Sequence, residues 1–238
     1  MAGQSKSTKS QSTENIIVAA LLEGGADPNT VDEIGTSACR RSSSTLSGLQ
    51  YPTLGGNGEE TPLHLAAAKG HHDICELLLK HDKSLIRSLW TRMVGPSLEV
   101  DSKDYAENTP FAYAVEKGHD RTVEVFLRSY PELSKTCDRH KELLFHRAIR
   151  VGNIEMVRIF LNHGADTEMK GDQGRRAIHV AIFAEDTGYA AGAAVVLQLL
   201  LAHGVAVDAK DNYGRTPEFY SNHPKTRMIL RNHAGTHP

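Results

Sequence analysis

Thirteen histidines and three cysteines are the residues of this 238-residue chain whose types could do chemistry. Imidazole can exchange a proton near neutral pH or bind a metal, and a thiolate can attack an electrophile. Spacing argues against both uses. His71 and His72 are adjacent, so on a helix they point in different directions, and no third ligand stands at metal spacing. Cys39, Cys75 and Cys137 are too few and too scattered for a disulfide framework or a zinc site, and read as free thiols in a reducing compartment. Cys137 lies near Asp138 and His140, and a Cys–His pair can lower a thiol pKa; turn chemistry explains that cluster more simply. Gly55-Gly-Asn-Gly58 follows no strand pattern and has no Lys-Ser/Thr after it, so it is linker rather than a phosphate loop. Arg40-Arg41-Ser42-Ser43 resembles the site of a basic-directed serine kinase. A phosphate at Ser43 would set a charge of about −2 beside two arginines. No catalytic residue, metal or cofactor is expected.

The elements that carry these residues follow from composition and pattern. Hydrophobic residues make up 39% and there are 20 glycines, near the globular norm, which excludes a chain disordered throughout. Lys plus Arg is 27 and Asp plus Glu is 29, a net charge of −2; a general nucleic-acid binder needs a basic surplus. Residues 1–13 are polar and hold no apolar core of a secretory signal. Tyr189 to Val207 is uncharged, but Gln198, His203 and two glycines interrupt it, and Asp186 and Asp208 flank it. It predicts a buried helix rather than a span of about twenty apolar residues. The expectation is a monomeric cytoplasmic or nuclear protein that contacts neither membrane nor nucleic acid.

Self-similarity organises the rest. Thr61-Pro-Leu-His-Leu-Ala-Ala-Ala-Lys-Gly70, Thr109-Pro-Phe-Ala-Tyr-Ala-Val-Glu-Lys-Gly118, Leu143-Leu-Phe-His-Arg-Ala-Ile-Arg-Val-Gly152, Arg176-Ala-Ile-His-Val-Ala181 and Thr216-Pro-Glu-Phe-Tyr220 are copies of one unit, starting 48, 34, 33 and 40 residues apart. Thr61 suits a helix cap, and Pro62 the first helical position, where a missing N–H costs nothing. The closing glycines suit a left-handed turn. A second amphipathic helix follows, as in Ile154, Met156, Val157, Ile159, Phe160 and Leu161. One helix pair cannot bury its apolar face; stacked pairs share a core. Cys75 falls inside such a helix and reads as a small buried hydrophobe.

The Thr-Pro-Leu-His-x-Ala block, the Gly-His between helices, the Leu-Leu pair, His163-Gly-Ala-Asp166 and Asp211-Asn-Tyr-Gly-Arg-Thr-Pro217 together resemble the ankyrin repeat family. The resemblance covers roughly Glu14 to Gly235. It implies an all-α fold, an ankyrin-repeat α-solenoid of five to six stacked helix-turn-helix units with hairpin-like turns. The domain would span 14–235, between a tail at 1–13 and another at 236–238. His64, His146 and His179 occupy the family's histidine slot, where the ring should bridge the backbone of adjacent turns. Glu14 to Asp27 reads as a second helix and its exit, with little room for a first: a worn cap, or a start inside a longer array. Thr216 to Gly235 is more polar, as a C-terminal cap should be, with Pro224 between its helices. Insertions are expected at about 36–60, 87–102 and 185–192, the second carrying the single tryptophan, Trp90. Leu21 to Asn29 resembles the sequence at which some ankyrin proteins are hydroxylated on asparagine.

What the resemblance implies about function is a non-enzymatic scaffold that grips a protein partner by its turn tips and the concave ends of its first helices. The matching positions are Tyr105, Asn108, Lys117, Arg139, His140, Arg150, Gln173, Arg175, Tyr213 and Arg215. Arg and Tyr carry much interface energy, and the arginines predict an acidic partner segment. Trp90 is either covered by its own insertion or an exposed anchor. Two other readings stay open: a C-terminal ankyrin fragment of a larger multidomain protein, and an enzyme with a pocket near Tyr105, Arg139 and His140.

Overall fold

The computed structural model describes residues 61–83, 100–104, 106–186 and 192–234. Glu14 to Asp27, the first insertion, most of the second with Trp90, and Ser43, Asn29 and Tyr105 lie outside the described residues. The chain divides into two compact units, Met1–Ser129 and Tyr130–Pro238.

In the first unit, helix α1 spans Pro62–Lys69, α2 His72–Lys83, α3 Pro110–Lys117 and α4 Asp120–Ser129. Proline opens α1 and α3, as the repeat predicts, and the Thr109 hydroxyl accepts from the Ala112 amide at 3.2 Å. Both first helices stop at a left-handed glycine, Gly70 with φ 72° and Gly118 with φ 75°. At Gly70 the need for glycine is double, because a Cβ there would also press 2.6 Å from His119 Nδ1. First helix packs on first helix (α1 on α3) and second on second (α2 on α4). The stack buries Leu63, Cys75, Phe111 and Phe126 completely, with the two phenyl rings 5.6 Å apart. Ring area of this kind is what drives the pairing.

In the second unit, α5 spans Leu144–Val151, α6 Ile154–Asn162, α7 Ala177–Asp186, α8 Ala193–Ala202 and α9 Pro224–Ala234. Here α5 packs on α7 and α6 on α8 around Phe145, Ile149, Phe160, Ile178, Ile182 and Leu200. α8 falls in the uncharged stretch Tyr189–Val207; among the described residues no helix is long and apolar enough to cross a membrane. The expected insertion at 185–192 overlaps the end of α7, which stays helical through Asp186. On its far side, Gly192 rests on the Gly152 carbonyl so closely that a Cβ would overlap it. In the last repeat the first helix shrinks to a single 3₁₀ turn, Pro217–Tyr220. Pro224 opens α9 rather than separating two full helices, which fits a proline's tolerance at the first helical position.

The turns before each first helix share one construction. Asp104 Oδ1 accepts from the amides of Ala106 and Asn108, Asp138 Oδ1 from His140 and Glu142, and Asp211 Oδ1 from Tyr213 and Arg215, all at 2.8–3.0 Å. The second carboxylate oxygen takes a donor nine residues on: the Tyr113 hydroxyl, the Arg147 guanidinium and the Tyr220 hydroxyl respectively. The remaining turn, third along the chain, is different, because Gly171 stands where the others have aspartate. Each turn also needs a left-handed residue. Gly174 and Gly214 supply it in two, but Glu107 (φ 61°) and Lys141 (φ 62°) supply it in the others. A non-glycine residue there costs about 1–2 kcal/mol, against about 0.5–1 kcal/mol of extra chain entropy for glycine. Lys141→Gly should therefore raise stability by about 0.5–1 kcal/mol. An unchanged or lowered urea midpoint would refute that account of the turn.

Candidate partner-binding face

The family-slot histidines hold the turns in register. The His64 Nδ1 accepts from the Thr61 amide at 3.1 Å, which leaves Nε2–H to donate to the Asn108 carbonyl at 3.1 Å. His179 repeats the pattern, accepting from the Arg176 amide at 3.3 Å and donating to the Arg215 carbonyl at 3.4 Å. Burial pushes both rings below the usual histidine range, so each is a neutral donor–acceptor bridge. His146 departs from the expectation. It is 2% exposed, yet its Nε2 has no hydrogen-bond partner, and Gly171 closes directly over the ring. Burial pushes its pKa down to about 4, with Glu142 opposing.

The residues expected to grip a partner fall into different situations. Asn108 is a correction. It is 5% exposed, its amide bonds Asp104, its carbonyl bonds His64 and its side chain donates to Tyr113. It builds the turn and offers nothing outward. Arg150 is half-buried and gives two parallel bonds to Glu142, at 2.9 and 2.8 Å, so the fold already neutralises its charge. Lys117 is exposed at the end of α3. Arg139 and His140 are exposed side by side, the Arg139 Nε donating to His140 Nε2 at 3.1 Å. Cys137, beside them, is a free exposed thiol whose pKa burial and Asp138 push up, the opposite of nucleophile activation. Among the described residues no group of three or more His, Cys, Asp or Glu could hold a metal ion.

Four of the expected residues, Gln173, Arg175, Tyr213 and Arg215, do come together, in the second unit. Arg215 lies 4.4 Å from the Tyr213 ring centroid, 5.5 Å from Phe219 and 5.0 Å from Tyr220. Its Nε donates to Asp211 at 2.9 Å. Arg175 sits 5.2 Å from the same Tyr220 ring and 5.4 Å from Phe183, and donates to Gln173 Oε1 at 2.8 Å. Each cation–ring contact is worth about 0.5–2 kcal/mol. Burial pushes the Asp211 carboxyl up, but Tyr220, two backbone amides and Arg215 outweigh it and hold it well below the usual carboxylate range. The rings remain open: Tyr213 is 66% exposed, Phe219 64% and Phe183 41%. Phe183, Phe219, Tyr220 and Asp211 were not among the residues expected from sequence. The signal was present, since Phe183 occupies the α7 position that Glu116 and Arg150 fill in α3 and α5, where the repeat presents its inward residues.

Known proteins agree with this architecture. The family model described as ankyrin repeats (three copies) matches residues 9–137, 113–190 and 145–234. Inversin of Canis lupus familiaris is 30% identical over 199 residues, which are 83% of this chain and 15% of inversin. The transient receptor potential channel A1 homolog of Caenorhabditis elegans is 24% identical over 177 residues, 66% of this chain and 14% of the channel. The chain thus spans about a seventh of either relative. Among solved structures, the ankyrin repeat domain of Bcl-3 superposes with a TM-score of 0.62 at 18% identity, over 91% of each chain. These likenesses show an all-α repeat solenoid, a fold that is typically a non-enzymatic interaction scaffold. The chain belongs to the ankyrin repeat family.

Proposed function

We propose that this chain binds a protein partner, without catalysis, through the turn tips and the inward residues of its first helices. The observation that carries the reading is the second-unit cluster. Two guanidiniums stand on four aromatic rings, three of them more than a third exposed. Large exposed rings beside arginine are the composition of interface anchors, and a preformed scaffold carries little ordering cost. The exposed free thiol of Cys137 supports a reducing, intracellular setting, and a monomeric scaffold leaves the face open. An acidic partner segment fits the two arginines of these turns that no carboxylate pairs among the described residues, Arg139 and Arg175.

The double variant Arg139→Glu, Arg175→Glu tests this in the full chain. Proteins captured from lysate should fall by at least tenfold, with circular dichroism unchanged. An unaltered set of captured proteins would refute binding through these turns.

A further inference from the structure

The charge of the turns is uneven. Residues 103–108 set Lys103 against Asp104 and Glu107, and residues 137–142 balance Arg139 and Lys141 with Asp138 and Glu142. Residues 170–175 and 210–215 carry Lys170, Arg175, Lys210 and Arg215 against only Asp172 and Asp211. These two positive turns are tied together, the Asn212 amide donating to the Gln173 carbonyl at 3.0 Å.

Within the pair, the fold treats the two arginines differently. Arg215 is paired with the buried Asp211 carboxylate. Arg175 has no carboxylate within ion-pair distance among the described residues; its neighbours are the neutral Gln173, Phe183 and Tyr220, and its Nε is buried without a partner. A guanidinium walled by rings is less screened than one in open water, so an arriving carboxylate gains more there. The apolar half of the site is continuous with it. Phe183 touches Arg175 on one side, and Phe219 stacks edge-on against Tyr220 at 5.6 Å on the other.

We propose that the turns 170–175 and 210–215 capture an extended peptide segment of a partner protein. The segment presents one Asp or Glu carboxylate to Arg175 and a large apolar side chain, two residues away from it, to Phe183 and Phe219. In an extended chain, side chains two apart share a face, which lets one segment satisfy both halves. The inference rests on the binding reading above and names its chemistry. It narrows the acidic-partner expectation, because Arg150 and Arg215 are already neutralised: one carboxylate is required rather than an acidic run.

The test is selection of a random twelve-residue phage-displayed peptide library on the full chain, with Arg175→Gln as the counter-target. Enriched sequences should place Asp or Glu two residues away from Phe, Leu, Tyr or Trp. One enriched peptide, synthesised with blocked ends, should bind Arg175→Gln at least tenfold more weakly, and Arg175→Lys should retain part of the loss. Changing the peptide's acid to its amide should cost a similar factor, and the two changes combined should cost less than their product. Equal melting of wild type and variant excludes misfolding. Enrichment without an acid, equal binding to Arg175→Gln, multiplicative losses, or no enrichment would each overturn the proposal. Peptides displaced by Arg139→Glu but not by Arg175→Gln would remove this site and leave the broader binding reading standing.

Discussion

Phe160→Ala should lower the unfolding free energy of the 130–238 unit by about 3–5 kcal/mol. Phe160 is fully buried on α6, with its ring 5.5 Å from Phe145 of α5. α6 also packs on α8, and α5 on α7. Truncation would therefore open a void at the point where two successive repeats meet, and close-packed interiors relax only partly around such a void. Whole domains are stable by about 5–15 kcal/mol, so the loss removes a large part of the margin. Because repeats are stabilised by their neighbours, the cluster of Arg175, Arg215 and their aromatic rings on α7 and the last turns should loosen with it. Urea unfolding followed by far-UV circular dichroism reads the effect. Phe160→Leu should cost far less, about 1 kcal/mol; equal losses in the two variants, or a loss below 1 kcal/mol in the alanine variant, would contradict this packing.

The second large effect is on acid stability, and it centres on His146. An exposed histidine titrates near 6.5, whereas burial holds His146 at about 4. Above pH 6.5 both folded and unfolded states are neutral at this ring and nothing changes. Between 6.5 and 4 the unfolded chain takes up a proton that the folded ring refuses, so stability falls as pH falls. Below 4 both states are charged and the loss stops growing. The separation of the two pKa values corresponds to about 3 kcal/mol. Glu142 and His179 are the charged groups acting on the ring, one favouring protonation and the other opposing it. His64 and His179 are lowered by burial as well and add losses of the same sign. Asp211 and Glu76, held below their usual range, contribute only at more acid pH, where carboxylates protonate. His146→Leu isolates the term. Its buried Nε2 has no partner to lose, so at pH 7.5 the variant should stay within about 1 kcal/mol of wild type. At pH 4.5 it should be the more stable protein, by about 2–3 kcal/mol. Parallel acid profiles for the two proteins would rule His146 out as the source.

The repeat was legible in the sequence because its signals are local. Thr-Pro starts, glycine stops and apolar spacing each depend on residues a few positions apart, and α1, α3, α5 and α7 begin where those signals place them. The candidate face was only partly legible. Asn108 looks outward in sequence, but Asp104 four residues earlier and His64 forty-four residues earlier draw it inside. Arg150 looks like a free cation until Glu142, eight residues back across a helix start, is folded against it. Phe183 reads by its type as one more apolar residue of a helix, though its register with Glu116 and Arg150 marks the solvent side that its 41% exposure confirms. His146 reads as a third copy of the bridge; only the fold shows its Nε2 without a partner and Gly171 closed over the ring.

The ties from Asp104 to Tyr113, Asp138 to Arg147 and Asp211 to Tyr220 act as rulers. Each fixes a block of constant length, 104–113, 138–147 and 211–220, running from the turn into the first helical segment. An extra residue inside such a block would pull the donor off its carboxylate and leave a buried acid unpaired. The connection from α2 ends before Asp104, and residues 187–191 fall between α7 and α8. Sequence can therefore grow between helices or ahead of a turn without touching a ruler. Those are the places where a loop could be grafted onto this repeat array while the turns keep their spacing.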